Sequence, residues 1–289
     1  MNRTLQNRMR KELCPDGIWQ LGATVKTLLK YHIARLPKRK VSEDATRYPK
    51  NPAEMRAFLV KFFTRHYFQA QNSLFDYMTS NDFLNLLTSG RLRILDIGCG
   101  PAVASLAITD LLACIFEHHK DVDNWPTAET VKITYILNDT SGYCLGSAQR
   151  MLSDYFAFSK KHNRGIVHSQ TISVQKAFPS NINQLRRVKR NLGTYDIITF
   201  SYAIVPLDED NGLIDLANGV LNIEKLCTPN GRILVLQDKF KAPLMRRLSR
   251  AIGTSSHHEE LTQHVYPSRN TNETQTYTYC HCLYTPTDK

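Results

Sequence analysis

Residues 91–112, RLRILDIGCGPAVASLAITDLL, decide how the rest of the chain is read. They open on a short apolar run, 92–97, with the length and branching expected of a strand buried on both faces. Gly98-Cys99-Gly100-Pro101 follows, and then Val103, Leu106, Ala107, Asp110 and Leu111 at helical spacing. Strand, glycine turn and helix make the first unit of a doubly wound α/β sheet, whose ligand crevice lies at the carboxyl ends of the strands. The glycines allow a sharp turn and a close ligand approach where a Cβ would collide. Asp96, the last acid before the turn, is expected to direct its carboxylate into that crevice.

Spacing narrows the ligand. The dinucleotide pattern G-x-G-x-x-G lacks its third glycine here, because Pro101-Ala102-Val103 follows Gly100. No G-x-x-x-x-G-K-[ST] occurs, which argues against a P-loop site. The stretch LDIGCGPAVASLA resembles motif I of the class I S-adenosylmethionine-dependent methyltransferases, hhDhGxGxG, and departs from it only at the final glycine, where Ala102 stands. The reading without that family is a bare βα turn serving another ligand. The resemblance implies a seven-stranded doubly wound methyltransferase sheet and S-adenosyl-L-methionine as cofactor. Asp96, Gly98, Cys99, Gly100 and Pro101 would lie under its methionine part.

Composition fits a folded α/β protein of 289 residues, 42% apolar and 9% aromatic. No run reaches the ~20 apolar residues of a membrane span. The odd count of seven cysteines, with no C-x-x-C pair, points to a reducing compartment and away from a structural zinc site. No metal is expected. A cytoplasmic location follows, with a mitochondrial one open because the first thirteen residues are basic and amphipathic.

The net charge of +11 is unevenly spread. Residues 1–90 hold fifteen Lys and Arg against seven Asp and Glu, and residues 160–190 hold eight basic residues and no acid. A third basic run comprises Lys239, Lys241, Arg246, Arg247 and Arg250. Such clusters draw a protein towards polyanions, nucleic acid first. The expected partner is RNA or a ribonucleoprotein, held by Arg186, Arg187, Lys189 and Arg190 of a basic helix over 181–192.

Along the chain, helical periodicity is read at 1–11, 18–36, 53–77 and 82–89, with loops at the prolines between. Residues 1–90 are therefore a basic, aromatic-rich helical extension, and 91–289 the cofactor-binding domain. In the family such extensions cover the cofactor or shape the acceptor pocket, and Arg65, His66 and Tyr67 are the lid and substrate-binding candidates. Residues 118–131 read as a loop. The second strand, 131–137, ends at Asn138-Asp139, where an acid can accept from both ribose hydroxyls. Asp139 is the expected ribose ligand, with Thr140 or Ser141 capping the next helix. Simple capping is the alternative for Asp139. Ala177 and Phe178 occupy the family's adenine position after a third strand over 168–178. The fourth strand, 195–200, exits through Ser201-Tyr202 towards the methyl donor. Cys227-Thr228-Pro229-Asn230-Gly231 resembles the family's L-x-P-G-G turn, with Asn230 able to take positive φ.

The exit of strand four lacks the [DNS]-P-P-[YFW] of base-amine enzymes, a cysteine nucleophile, and any C-x-x-x-C-x-x-C. Direct transfer to nitrogen or oxygen remains, resting on proximity and orientation, with Tyr202 and Asp208 as candidates for a base. RNA, in particular ribosomal RNA, is the expected acceptor. A small-molecule N-methyltransferase with an aromatic lid and a non-catalytic binding subunit are the alternatives. Nothing in the sequence indicates an oligomeric state.

Overall fold

The computed structural model describes residues 3–118, 128–159, 165–203, 210–252, 257–264 and 274–286. Among these, seven strands form one sheet in the order β3-β2-β1-β4-β5-β7-β6. They are β1 (Arg91–Ile97), β2 (Val131–Asp139), β3 (Ile166–Gln175), β4 (Tyr195–Ser201), β5 (Cys227–Asp238), β6 (His257–His264) and β7 (Thr274–Tyr284). β1 to β5 pair in parallel, while β7 runs antiparallel between β5 and β6. Strand order reverses between β1 and β4, which opens a crevice at their carboxyl ends. This is a seven-stranded doubly wound sheet, as the glycine motif implied.

Before the sheet come α1 (Arg3–Leu13), α2 (Ala23–Arg35), α3 (Glu43–Arg47), α4 (Pro52–Phe58), a π turn (Leu59–Phe63), α5 (Thr64–Met78) and α6 (Asn81–Leu86). Between and after the strands lie α7 (Val103–Glu117), α8 (Gly142–Ser159), α9 (Ile182–Leu192), α10 (Asp210–Glu224) and α11 (Ala242–Ile252). Side chains alternate along β1 as a strand's must: Leu92 and Ile94 join a core with α1, α2, α5, α7 and α8, and Leu95 and Ile97 a core with α9, α10 and α11. The N-terminal helices thus share the sheet's own core. The apolar stripe of α1, Leu5, Met9 and Leu13, is buried there, and Gln6 Nε2 donates to Thr79 Oγ1 at 2.8 Å.

The aromatic stretch predicted as one helix over 53–77 runs from Pro52 to Met78 with one widened turn at 59–63. Asn51 caps it, its Oδ1 accepting from Glu54 N at 3.1 Å, and Pro52 occupies the first position, where no N–H is needed. Two expectations change. α2 begins at Ala23, not at 18, because residues 18–22 run extended and Trp19 bridges to Gln263 of β6. The expected turn at 227–231 is instead the start of β5, and Asn230 is not among the residues with positive φ. Most of the loop expected at 118–131 falls outside the described residues.

Tyr67 is corrected as well. Its hydroxyl donates to Asp110 Oδ2 at 2.5 Å, Tyr155 donates to Asp110 Oδ1 at 2.8 Å, and Gln71 Nε2 donates to the Tyr67 hydroxyl at 2.9 Å. A buried carboxylate met by two phenols joins α5, α7 and α8, and Tyr67 is a residue of that core, not of a lid.

Candidate active site

The carboxyl ends of β1 to β5 open on one cavity of about 410 Å³, within the usual range for small-molecule sites. Its floor is made by backbone. Gly98 and Gly100 take φ of +65° and +50°. A Cβ on Gly98 would lie 2.4 Å from that of Ala203, so the exit of β4 passes this close only over glycine. A Cβ on Gly100 would meet nothing within 4 Å; it would project into the space a ligand needs. Ala102, in place of the family's third glycine, adopts the left-handed φ 60°, ψ 37° as the N-cap of α7.

Asp139 borders this floor. Its Oδ2 accepts from Gly100 N at 3.0 Å and its Oδ1 from Ser141 N at 2.8 Å, so one carboxylate ties the two strand exits together. The carboxylate keeps acceptor capacity for a ligand hydroxyl. Burial pushes its pKa up, against three backbone donors that lower it. Asn138 is a site residue that the sequence reading had not singled out. Its Nδ2 donates to Val174 O at 2.8 Å and Lys176 O at 2.7 Å, which holds the exit of β3 against β2. The available signal was a polar residue inside an apolar strand. Thr140, Ala177 and Phe178 line the same cavity, with the Phe178 ring edge-on to Phe200 at 5.0 Å. Cys99 and Cys144 also line it, but burial raises both thiols, Cys144 to about 11, so neither supplies a thiolate near neutral pH.

Asp96 does not reach the cavity, contrary to expectation. It faces α7, where its Oδ2 accepts from Ser105 Oγ at 2.7 Å and Ser105 N at 3.3 Å. Its Oδ1 accepts at 2.7 Å from the hydroxyl of Thr199, its register partner on β4. Complete burial raises its pKa to about 6, against those three donors. Pro101 likewise is not among the lining residues.

The opposite wall is aromatic. Phe58, Phe62 and His66 follow one another at four-residue steps across the π turn and all line the cavity. The His66 ring stacks on Phe62 at 5.7 Å and on Tyr202 at 3.7 Å with planes 14° apart. Tyr202, at the exit of β4, is held at φ 58°, and its hydroxyl donates to Gln69 Oε1. Burial, aided by Arg65, drives the His66 pKa well below its ordinary range, and burial drives that of Tyr202 up. Both rings are neutral and serve as wall, which leaves Tyr202 a poor base. Asp208 lies outside the described residues. Arg65 does not line the cavity; it pairs with Asp238, which does, and lies 4.7 Å over the Tyr277 ring.

Arg186, Arg187, Lys189 and Arg190 are also absent from the cavity lining. Arg186 donates to Asn222 Oδ1 at 3.1 Å and Lys189 to Lys225 O at 3.0 Å, both towards the α10 side. The cations bordering the cavity are Arg47, Lys50, Lys176 and Lys241. Elsewhere, donor atoms of Glu12, Cys114 and His118 lie within 4.8 Å of one another where α1 meets α7. There Glu12 already pairs with His118 at 2.7 Å, and burial holds the Cys114 thiol protonated. No helix among the described residues is long and apolar enough to cross a membrane.

No protein-family model matches the chain, and no curated protein matches it. Among solved structures it is similar to the SAM-dependent methyltransferase from Agrobacterium tumefaciens, at 16% identity and TM-score 0.40 over 78% of this chain and 62% of that one. It therefore spans less than two thirds of the Agrobacterium protein. It is similar to the N-methyltransferase NodS from Bradyrhizobium japonicum, at 14% identity and TM-score 0.39 over 79% and 98%. It is also similar to spermidine synthase from Thermotoga maritima, at 14% identity and TM-score 0.35 over 73% and 58%.

Proposed function

We propose that this protein is an S-adenosyl-L-methionine-dependent methyltransferase acting by direct transfer to a nitrogen or oxygen acceptor. One observation carries the reading: a glycine turn open to the cavity at Gly100, a strand-end carboxylate at Asp139, and Phe178 with Ala177 all border a single space. These residues suit the cofactor. Gly98 and Gly100 bring bare backbone to its methionine part, Asp139 retains acceptor capacity for a ribose hydroxyl, and Phe178 offers a ring for adenine. The cofactor supplies an electrophilic methyl group.

The chain's own contribution is positional. Ser201 and Tyr202 end β4 beside the glycine turn, and the stacked rings of His66 and Tyr202 close the acceptor side with neutral, apolar faces. Such walls exclude water and hold a planar acceptor in line, an arrangement that lowers the barrier without a strong base. RNA is the acceptor that the charge favours, because among the described residues four cations and two carboxylates border the cavity and one carboxylate, Asp238, is already paired. The aromatic wall equally supports a second reading, a small planar amine as acceptor.

Calorimetric titration of S-adenosylhomocysteine tests the proposal. Wild-type protein is expected to bind in the micromolar range, about −8 kcal/mol. Asp139→Ala is expected to bind at least about tenfold more weakly. Wild-type protein that gives neither heat nor a thermal shift overturns the enzyme reading and favours a non-catalytic binding subunit.

A further inference from the structure

Among the described residues three large hydrophobic side chains are exposed: Tyr48, Val167 and Phe240. Tyr48 lines the cavity and Phe240 is the chain neighbour of Lys241, which lines it; each ring is set among cations. Tyr48, 59% exposed, lies between Arg47 and the Pro49-Lys50 step, and all four residues line the cavity. Phe240, 81% exposed, lies between Lys239 and Lys241 in the short turn that follows β5, and Lys241 lines the cavity. The Lys239 ammonium is 5.3 Å from the Phe240 ring. Among the described acids here, Asp238 pairs with Arg65, Glu43 with Lys61 at 2.7 Å, and Glu54 accepts from the backbone N–H of Lys50 at 2.6 Å. Two exposed rings therefore stand in a cationic field.

A single exposed aromatic residue is ordinary. Two exposed rings, each between basic side chains of which one or more line the same cavity, match what an unpaired strand of nucleic acid requires: π faces for bases and cations for the phosphates between them. We propose that this surface docks single-stranded nucleic acid, with bases stacked on Tyr48 and Phe240 and phosphates on Arg47, Lys50, Lys239 and Lys241. A duplex is disfavoured, because its bases keep their faces covered. A membrane surface is the poorer match, because the apolar side of the adjoining basic helix α11, Met245 and Leu248, is already buried in the core. The proposal rests on the methyltransferase reading only for the fate of the nucleotide between the two stacked bases, which would be presented to the cavity.

The test is fluorescence anisotropy of a labelled single-stranded RNA of about 15 nucleotides, run beside calorimetry of S-adenosylhomocysteine. Phe240→Ala is expected to weaken RNA binding about tenfold, the effect of losing one base stack. Lys239→Ala should reduce the slope of log affinity against log salt by about 0.7, the release of one counterion from a single strand. Neither residue lines the cavity, so both variants should bind S-adenosylhomocysteine as wild type does. RNA affinity unchanged by both substitutions, or no RNA binding by the wild type, overturns the proposal. Binding to phosphatidylserine vesicles but not to RNA, lost in Phe240→Ala, replaces it with a membrane surface. If the RNA effects appear while the wild type ignores S-adenosylhomocysteine, the docking surface stands and the methyltransferase reading fails.

Discussion

Asp96 lies one residue short of the end of β1 and Asp139 is the last residue of β2, on neighbouring parallel strands and after similar apolar runs. Asp96 still belongs to the sheet, on the face that α7 covers, and meets Ser105 and Thr199 there. Asp139 has passed the edge of the packed layers and meets two turn N–H groups and the cavity. One acid braces the glycine turn from beneath and the other borders the ligand space. An acid near a strand end acquires its role from whatever covers that face of the strand, which residue type alone does not specify.

That contrast is open to direct attack. The largest effect is expected from Asp96→Ala, which strands two buried hydroxyls and a backbone N–H; a loss of about 3–5 kcal/mol in urea unfolding is expected. Asp139→Ala should lose only about 1 kcal/mol of stability, since water can reach its donors from the cavity, while ligand binding fails. Equal stability losses in the two variants would erase the distinction between them.

A pH series sharpens it. The folded protein keeps the Asp96 proton to about pH 6, whereas an unfolded chain releases it near pH 4. Folding therefore favours the protonated acid, and stability is fully present at low pH and is lost as pH rises between those values. The difference between wild type and Asp96→Asn should shrink by roughly 2–3 kcal/mol from pH 4 to pH 7. Asp196, also raised to about 6 by burial, is present in both proteins and cancels. A flat difference would mean that Asp96 is ionised in the fold throughout.

The smallest effect should come from Ala102→Gly. Glycine relieves the left-handed strain by about 1–2 kcal/mol but loses a buried methyl group and gains unfolded-state freedom, each worth about 0.5–1 kcal/mol. The melting temperature is expected to stay within about 3 °C of wild type. A larger fall would mean that the methyl group, not the backbone, holds the turn to α7.

Much of this was legible in the chain. The strand–turn–helix of 91–112, Asp139 at the end of β2, and the Ala177-Phe178 and Ser201-Tyr202 exits all sit where periodicity and motif spacing put them. The stripe of α1 was legible as amphipathic but not as part of the central core. The placement of Arg65, His66 and Tyr67 was not legible, because three consecutive residues on one helix point in three directions: to Asp238, to the cavity and to Asp110. The basic helix expected to hold RNA through 186–190 stands away from the cavity lining, since a run of basic residues reports charge and not the side of the sheet that bears it.

By itself the sequence determined the order of strands and helices and the glycine turn at their centre, because hydrophobic period and positive φ are local properties of the backbone. Only the tertiary structure decided that Asp96 is a brace, that His66 meets Tyr202, and that Tyr48 and Lys241 border one cavity. Those facts depend on contacts between distant parts of the chain, as when Tyr202 reaches Gln69 across 133 positions, and no local pattern encodes them.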